Sequence, residues 1–136
     1  MLDSRKSRFQ LRKTMTVLIV EDNAGIRSLL RRALQGMAKQ VWECSDGADA
    51  LDAYAEHGPD VVLMDIHMPR MDGLIATRMI CQSYPAARVV MVSDYDDEDL
   101  RQAAAAAGAS GYTLKQDLSE LIELLRSLQA AANLQL

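Results

Sequence analysis

The sequence predicts an α/β protein: one parallel sheet with helices packed on both of its faces. Three observations carry this expectation. Strand-like and helix-like segments alternate five times along the chain. The strand-like runs, above all Thr16-Val17-Leu18-Ile19-Val20 and Val61-Val62-Leu63-Met64, are short and apolar throughout, as suits strands covered on two sides. The chain has 136 residues, enough for one domain with a substantial core and too few for two. Alternating strands and helices give right-handed crossovers, and therefore parallel neighbours.

The elements follow in order. Residues 16–20 form the first strand, bounded by Glu21-Asp22. Asn23 is an N-cap for a helix in which Ile26, Leu29, Leu30, Ala33, Leu34 and Met37 recur at helical spacing, with Arg27, Arg31 and Arg32 facing outward. Gly36 lies near its end. Residues 40–44 alternate more weakly and read as a second strand near an edge. Asp46 starts a second helix through residue 56, and Gly58-Pro59 turns the chain into the third strand, 60–65.

The third helix spans 71–83 and the fourth strand 88–93. Residues 97–107 form a helix whose acidic first turn suits the positive end of its macrodipole, and Gly108 ends it. The fifth strand is 110–114. The last helix begins near Asp117 and carries Leu118, Leu121, Ile122, Leu125 and Leu128 on its apolar stripe. The organisation expected is a basic N-terminal arm over 1–14, one domain over 15–128, and a fraying tail over 129–136.

Composition narrows the function classes. Hydrophobic residues make up 49% and aromatics only 4%, so the core must be aliphatic. Cys44 and Cys81 lack metal-site spacing and read as small buried hydrophobes rather than a disulfide. No stretch is long or apolar enough to span a bilayer, and no apolar signal core follows the basic start, so a cytoplasmic protein is expected. Arg5, Lys6, Arg8, Arg12 and Lys13 stand against Asp3 in the arm, a net +4, which leaves −8 for the rest of a chain of net charge −4. Such an arm suits a nucleic acid or membrane surface, or is a disordered leader upstream of Met15. The acidic body argues against direct DNA binding by the domain itself.

The chemistry gathers at one edge. Asp65 closes the third strand, Glu21-Asp22 ends the first, Ser93 ends the fourth and Lys115 ends the fifth. In an open parallel sheet these strand ends share the edge where ligands bind. Three acids, a hydroxyl and an ammonium there form a site for a divalent cation and a phosphoryl group. Each residue alone has a bland alternative: Asp65 as a turn acid, Lys115 as an exposed lysine, Ser93 as a turn opener, Tyr112 as core packing, His67 as a half-exposed loop residue.

Five segments together are more specific: Val17-Leu18-Ile19-Val20-Glu21-Asp22-Asn23, Val61-Val62-Leu63-Met64-Asp65-Ile66-His67-Met68-Pro69, Asp72-Gly73, Val90-Met91-Val92-Ser93, and Gly108-Ala109-Ser110-Gly111-Tyr112-Thr113-Leu114-Lys115. Over residues 15–128 the chain resembles the receiver domain of two-component response regulators. The resemblance implies a flavodoxin-like, doubly wound sheet of five parallel strands in order 2-1-3-4-5, with five flanking helices. It implies that Asp65 accepts a phosphoryl group from a sensor histidine kinase or a histidine phosphotransfer protein. It makes Asp22, Asp65 and the main-chain carbonyl of His67 ligands of Mg²⁺ (or Mn²⁺), with Glu21 acting through water. Lys115 and Ser93 would bind phosphoryl oxygens, Ser93 and Tyr112 would form a switch pair, and His67 and Tyr95 would flank the path of attacking water.

The resemblance also implies a signalling switch rather than a turnover enzyme, with a phosphorylation-dependent homodimer as one partner state. Gly111-Tyr112-Thr113-Leu114-Lys115 and Asp117-Leu118-Ser119-Glu120-Leu121 are similar to regulators with a LuxR-type DNA-binding domain, so DNA would be reached through an output domain outside these residues. Three departures stand out: Gln116 where a proline is usual after the lysine, Asp94 where a small neutral residue is usual after the serine, and the acidic cluster of Asp94, Asp96, Asp97, Glu98 and Asp99. The competing functions are a haloacid-dehalogenase-type phosphatase, which wants a second aspartate where His67 stands, and a receiver-like interaction module that takes no phosphate.

Overall fold

A computed structural model describes residues 15–134, and the basic arm lies outside them. Five strands alternate with five helices: β1 (Met15–Val20), α1 (Ala24–Ala33), β2 (Ala38–Cys44), α2 (Ala50–His57), β3 (Val61–Met64), α3 (Gly73–Ser83), β4 (Val89–Ser93), α4 (Glu98–Ala107), β5 (Gly111–Leu114) and α5 (Leu118–Leu134). All four strand pairings are parallel, in the order β2-β1-β3-β4-β5. This is the flavodoxin-like order expected. The chain leaves β1 toward β2 and returns on the other side to β3, so the order reverses between β1 and β3. The loops after these two strands diverge there and open a crevice.

Side-chain alternation explains why the strands are apolar throughout. Val17, Ile19, Val61, Leu63, Val90 and Val92 point to one face, where α1 and α5 cover them with Leu30, Leu34, Leu121 and Leu125. Leu18, Val20, Val62, Met64, Val89 and Met91 point to the other, under α2, α3 and α4. Each fully buried aliphatic side chain contributes about 1.5–3 kcal/mol of transfer free energy. The buried apolar residues among those described are all aliphatic, Met or Ala, as composition required.

Helix starts agree with their sequence signals. Asn23, Asp72 and Asp97 accept hydrogen bonds from the backbone N–H groups of Ile26, Ile75 and Leu100 at 2.9–3.1 Å. Gly58 and Gly108 end α2 and α4 in left-handed conformations. Cys44 and Cys81 are free and half-buried, and burial pushes the Cys44 thiol up to about 11.

Other boundaries move. α1 stops at Ala33, and Met37 is buried in the turn beyond it, where Met37 and Ala38 donate to the Leu34 carbonyl. Leu29, expected on the apolar stripe, lies at its margin and is 39% exposed. Asp46 starts a 3₁₀ turn (Gly47–Asp49) before α2 instead of the helix itself. The expected tail is helical to Leu134: Gln129 is buried, and Arg88 donates to the Leu128 carbonyl at 3.2 Å, so α5 is held past residue 128. No described helix is long and apolar enough to cross a membrane.

Gly73 shows how tightly α3 docks on the end of β3. A Cβ there would overlap the Asp65 carbonyl oxygen and come within 2.8 Å of its carbon, while the Gly73 N–H donates to Ile66 at 2.7 Å. Gly73→Ala should therefore cost about 2–3 kcal/mol in urea denaturation. Gly36→Ala, whose Cβ meets nothing within 4 Å, should leave stability unchanged or raise it by up to about 1 kcal/mol. Equal losses at the two positions would mean that close approach at Gly73 is not what matters.

Candidate functional site

The acids of the site sit where two central strands end. Glu21 and Asp22 follow β1, and Asp65 follows β3 with its N–H still paired to the Val20 carbonyl at 2.9 Å. Glu21 and Asp65 are buried and Asp22 is exposed, and their carboxylate oxygens lie within 4.8 Å of one another. Lys115, just past β5, reaches across β4: its Nζ is 3.1 Å from Glu21 Oε1, 3.1 Å from Asp65 Oδ1 and 3.6 Å from Asp94 Oδ2. The resulting cavity of about 420 Å³ is lined by Glu21, Asp22, Asp65, His67, Asp94 and Lys115 together with Asn23 and Ile26.

Electrostatics follow from this crowding. Burial, reinforced by the adjacent Asp65, pushes the Glu21 carboxyl up to about 8 against the opposing pull of Lys115. Burial works against the Lys115 charge too, but Asp65 and Glu21 outweigh it and raise its pKa. An all-oxygen group of one exposed and two buried carboxylates, short of positive charge, is a donor set that suits a hard divalent cation.

Residues that the sequence reading passed over hold these loops. Arg27 does not face outward: its guanidinium donates to the main-chain carbonyls of Glu21 at 2.8 Å and Asp22 at 3.2 Å, and to Glu43 on β2 at 3.1 Å. Arg31 adds a second pair to Glu43 at 2.6 Å. Asp46 is buried and accepts three backbone hydrogen bonds, from Ala48 at 2.9 Å, Arg70 at 2.9 Å and Met71 at 3.0 Å. It thus ties the turn after β2 to the loop after Asp65. The Asp46-Gly47 pair was the available signal, because a Cβ on Gly47 would lie 2.5 Å from the Met71 carbonyl oxygen.

Ser93 ends β4 and is buried, but its Oγ is engaged: it accepts the Tyr95 N–H at 3.0 Å. The carbonyl of Tyr95 in turn accepts the Tyr112 hydroxyl at 2.7 Å. Tyr112 is half-buried, and Arg101 stacks over its ring at 4.6 Å. The exposed His67 and Tyr95 rings meet edge to face, with centroids 5.6 Å apart. So Glu21, Asp22, Asp65, His67 and Lys115 line one cavity, and Ser93 and Tyr112 are joined beside it through the Tyr95 backbone.

Residues 17–126 match the response regulator receiver domain family. The chain belongs to that family. The receiver domain is 36% identical over 113 residues to the transcriptional regulatory protein DegU of Brevibacillus brevis, covering 81% of this chain and 48% of that protein. Its fold matches a LuxR-family two-component response regulator from Aurantimonas sp. SI85-9A1 at a TM-score of 0.81 and 34% identity, over 87% of this chain and 86% of that one. A chain of the CheX–CheY–BeF₃–Mg²⁺ complex of Borrelia burgdorferi matches at 0.76 and 28% identity, over 84% and 88%. The receiver spans about half or less of the length of the curated relatives matched first. Membership sets aside the phosphatase alternative, which His67 already disfavoured.

The Asp46 clamp gives a test with a defined sign. Burial opposes its charge, but three backbone N–H groups outweigh this and hold its carboxyl below the usual aspartate range. Its contribution is therefore complete above the unfolded-state pKa, about 4, and is lost as pH falls through the lower folded value. Asp46→Ala should cost about 2–3 kcal/mol at pH 7 by leaving those donors unpaired. In denaturant titrations its deficit relative to wild type should narrow below about pH 4. A deficit that does not change with pH would remove the carboxylate from the explanation.

Proposed function

We propose that Asp65 accepts a phosphoryl group from a phosphohistidine and that the domain, residues 15–128, switches conformation in response. The observation carrying this reading is the Lys115 ammonium, held at 3.1 Å from both Glu21 and Asp65 inside a cavity open to solvent. An Asp65 carboxylate oxygen forms a bond to phosphorus as the bond from phosphorus to the histidine nitrogen breaks. The imidazole leaves and takes up a proton. Such transfer depends on positioning and on neutralising charge at the phosphoryl oxygens. Lys115 pairs with one of these oxygens. Ser93, whose Oγ accepts from the Tyr95 N–H, donates its own hydroxyl hydrogen to another.

Asp22, Asp65 and the His67 main-chain carbonyl would hold Mg²⁺ (or Mn²⁺), with Glu21 acting through water. When bound, the ion supplies positive charge to the phosphoryl oxygens. The family, the carboxylate group and the Mg²⁺ named with a structural relative support this assignment. The donor is a sensor histidine kinase or a histidine phosphotransfer protein in the cytoplasm. The domain acts as a switch and not as a turnover enzyme. Its output surface comprises α4, β5 and α5, where a phosphorylation-dependent homodimer forms, and DNA is reached through an output domain such as those of the LuxR-type relatives.

Phosphorylation is read by intact mass. With Mg²⁺ and a phosphorylated kinase or acetyl phosphate, wild type should gain one phosphoryl group and Asp65→Asn none. Persistent labelling of Asp65→Asn would end the assignment.

Switching is read by amide resonances. The chain Ser93–Tyr95–Tyr112 ties the site to the α4–β5–α5 face by two hydrogen bonds. Beryllofluoride with Mg²⁺ should therefore shift resonances from residue 95 through α4 and β5. Tyr112→Phe should weaken the shifts in α4 while sparing those near Asp22 and Asp65. Shifts confined to the acidic loops in wild type would leave a receiver that does not transmit.

A further inference from the structure

Asp94 stands on the outer rim of the acceptor cavity. Its side chain is 65% exposed, against 6% for Asp65 and 12% for Lys115. Its Oδ2 lies 3.6 Å from Lys115 Nζ, so the ammonium faces a third carboxylate on the solvent side. Among the described residues this ion pair is the polar contact its carboxylate makes. Glu21 and Asp65 already hold Lys115 from within, so Asp94 is not needed to seat the ammonium. A phosphoryl group entering the cavity meets the same ammonium with the Asp94 carboxylate 3.6 Å from it on the exposed side.

We propose that Asp94 is a charge gate, a specificity-determining residue that competes for Lys115 and slows highly charged, freely diffusing phosphodonors. The inference rests on the phosphoacceptor reading above. Acetyl phosphate approaches as a dianion: an Asp65 oxygen bonds to phosphorus, the phosphorus–oxygen bond to the acetyl group breaks, and acetate leaves. Phosphoramidate approaches with one net negative charge: the phosphorus–nitrogen bond breaks and ammonia leaves with the protons it carried in. Repulsion by Asp94 is greater for the first donor and is screened by salt. A phosphohistidine on a docked protein brings contact energy that offsets the same repulsion.

The test compares second-order labelling rates of wild type, Asp94→Asn and Asp99→Asn with both donors, in Mg²⁺ at low and high ionic strength. Asp94→Asn should react with acetyl phosphate roughly three- to tenfold faster, and with phosphoramidate by a smaller factor. The gain should shrink at high salt. Asp99, exposed on the first turn of α4, carries the same charge with no contact to Lys115, so Asp99→Asn should stay within about twofold of wild type. An unchanged or slower Asp94→Asn, or an equal gain in Asp99→Asn, overturns the gate. If wild type labels at Asp65 and Asp94→Asn labels no faster, the gate alone fails. If neither takes a phosphoryl group from either donor, the acceptor reading fails with it.

Discussion

Two buried carboxylates facing one ammonium set the terms for the rest of this domain. Glu21 and Asp65 come from different strands and converge because β1 and β3 are neighbours whose ends share an edge. Burial, with Asp65 adding to it, pushes Glu21 up to about 8 even with Lys115 beside it. Desolvating such a group is compensated only when the opposite charge is well placed, and loss of a buried partner typically costs about 3–5 kcal/mol. The fold therefore places Lys115 at the end of β5, two strands from Asp65, with its N–H paired to the Ser93 carbonyl at 2.8 Å. The usual proline after this lysine is replaced by Gln116, yet the ammonium remains held between Glu21 and Asp65.

A group of like charges stays assembled only if its backbone cannot retreat. Arg27 holds the Glu21 and Asp22 carbonyls from beneath, and Glu43 and Arg31 anchor Arg27 to the edge strand. Asp46 holds the loop at Arg70 and Met71, and Gly73 lets the start of α3 lie directly on Asp65. The acidic side chains are thus set by main-chain bonds made outside the cavity, leaving their oxygens turned into it. Loops fixed in this way keep the three carboxylates together despite their like charge.

The parts of this arrangement legible in sequence were those written in local patterns. Unbroken apolar runs announced two-sided strands, and Glu21, Asp22, Asp65, Ser93 and Lys115 could be assigned to one edge because parallel topology puts all strand ends of one polarity together. What escaped was long-range pairing. Arg27 fits the polar face of a helix, and nothing local says that it turns back toward two carbonyls. Asp46 reads as a cap, which it is, but its bonds to Arg70 and Met71 span 24 and 25 positions. The end of α1 was overrun because Met37 is apolar and in phase, although its burial arises in a turn. The tail was expected from residue 129, yet Gln129 is buried and the helix runs on to Leu134.

The least visible feature is the link between Ser93 and Tyr112. Ser93 and Tyr112 are expected as a pair by resemblance, but they do not touch through side chains. The Tyr95 backbone joins them, donating to one and accepting from the other. A neutral hydrogen bond of this type contributes about 0.5–1.5 kcal/mol net. An energy of that size is large enough to bias two populations severalfold and too small to lock either. The N–H bonded to Ser93 and the carbonyl that holds Tyr112 belong to the same residue. The cavity edge at Ser93 and an aromatic side chain on the same face of β4–β5 are thus linked through a single residue's backbone.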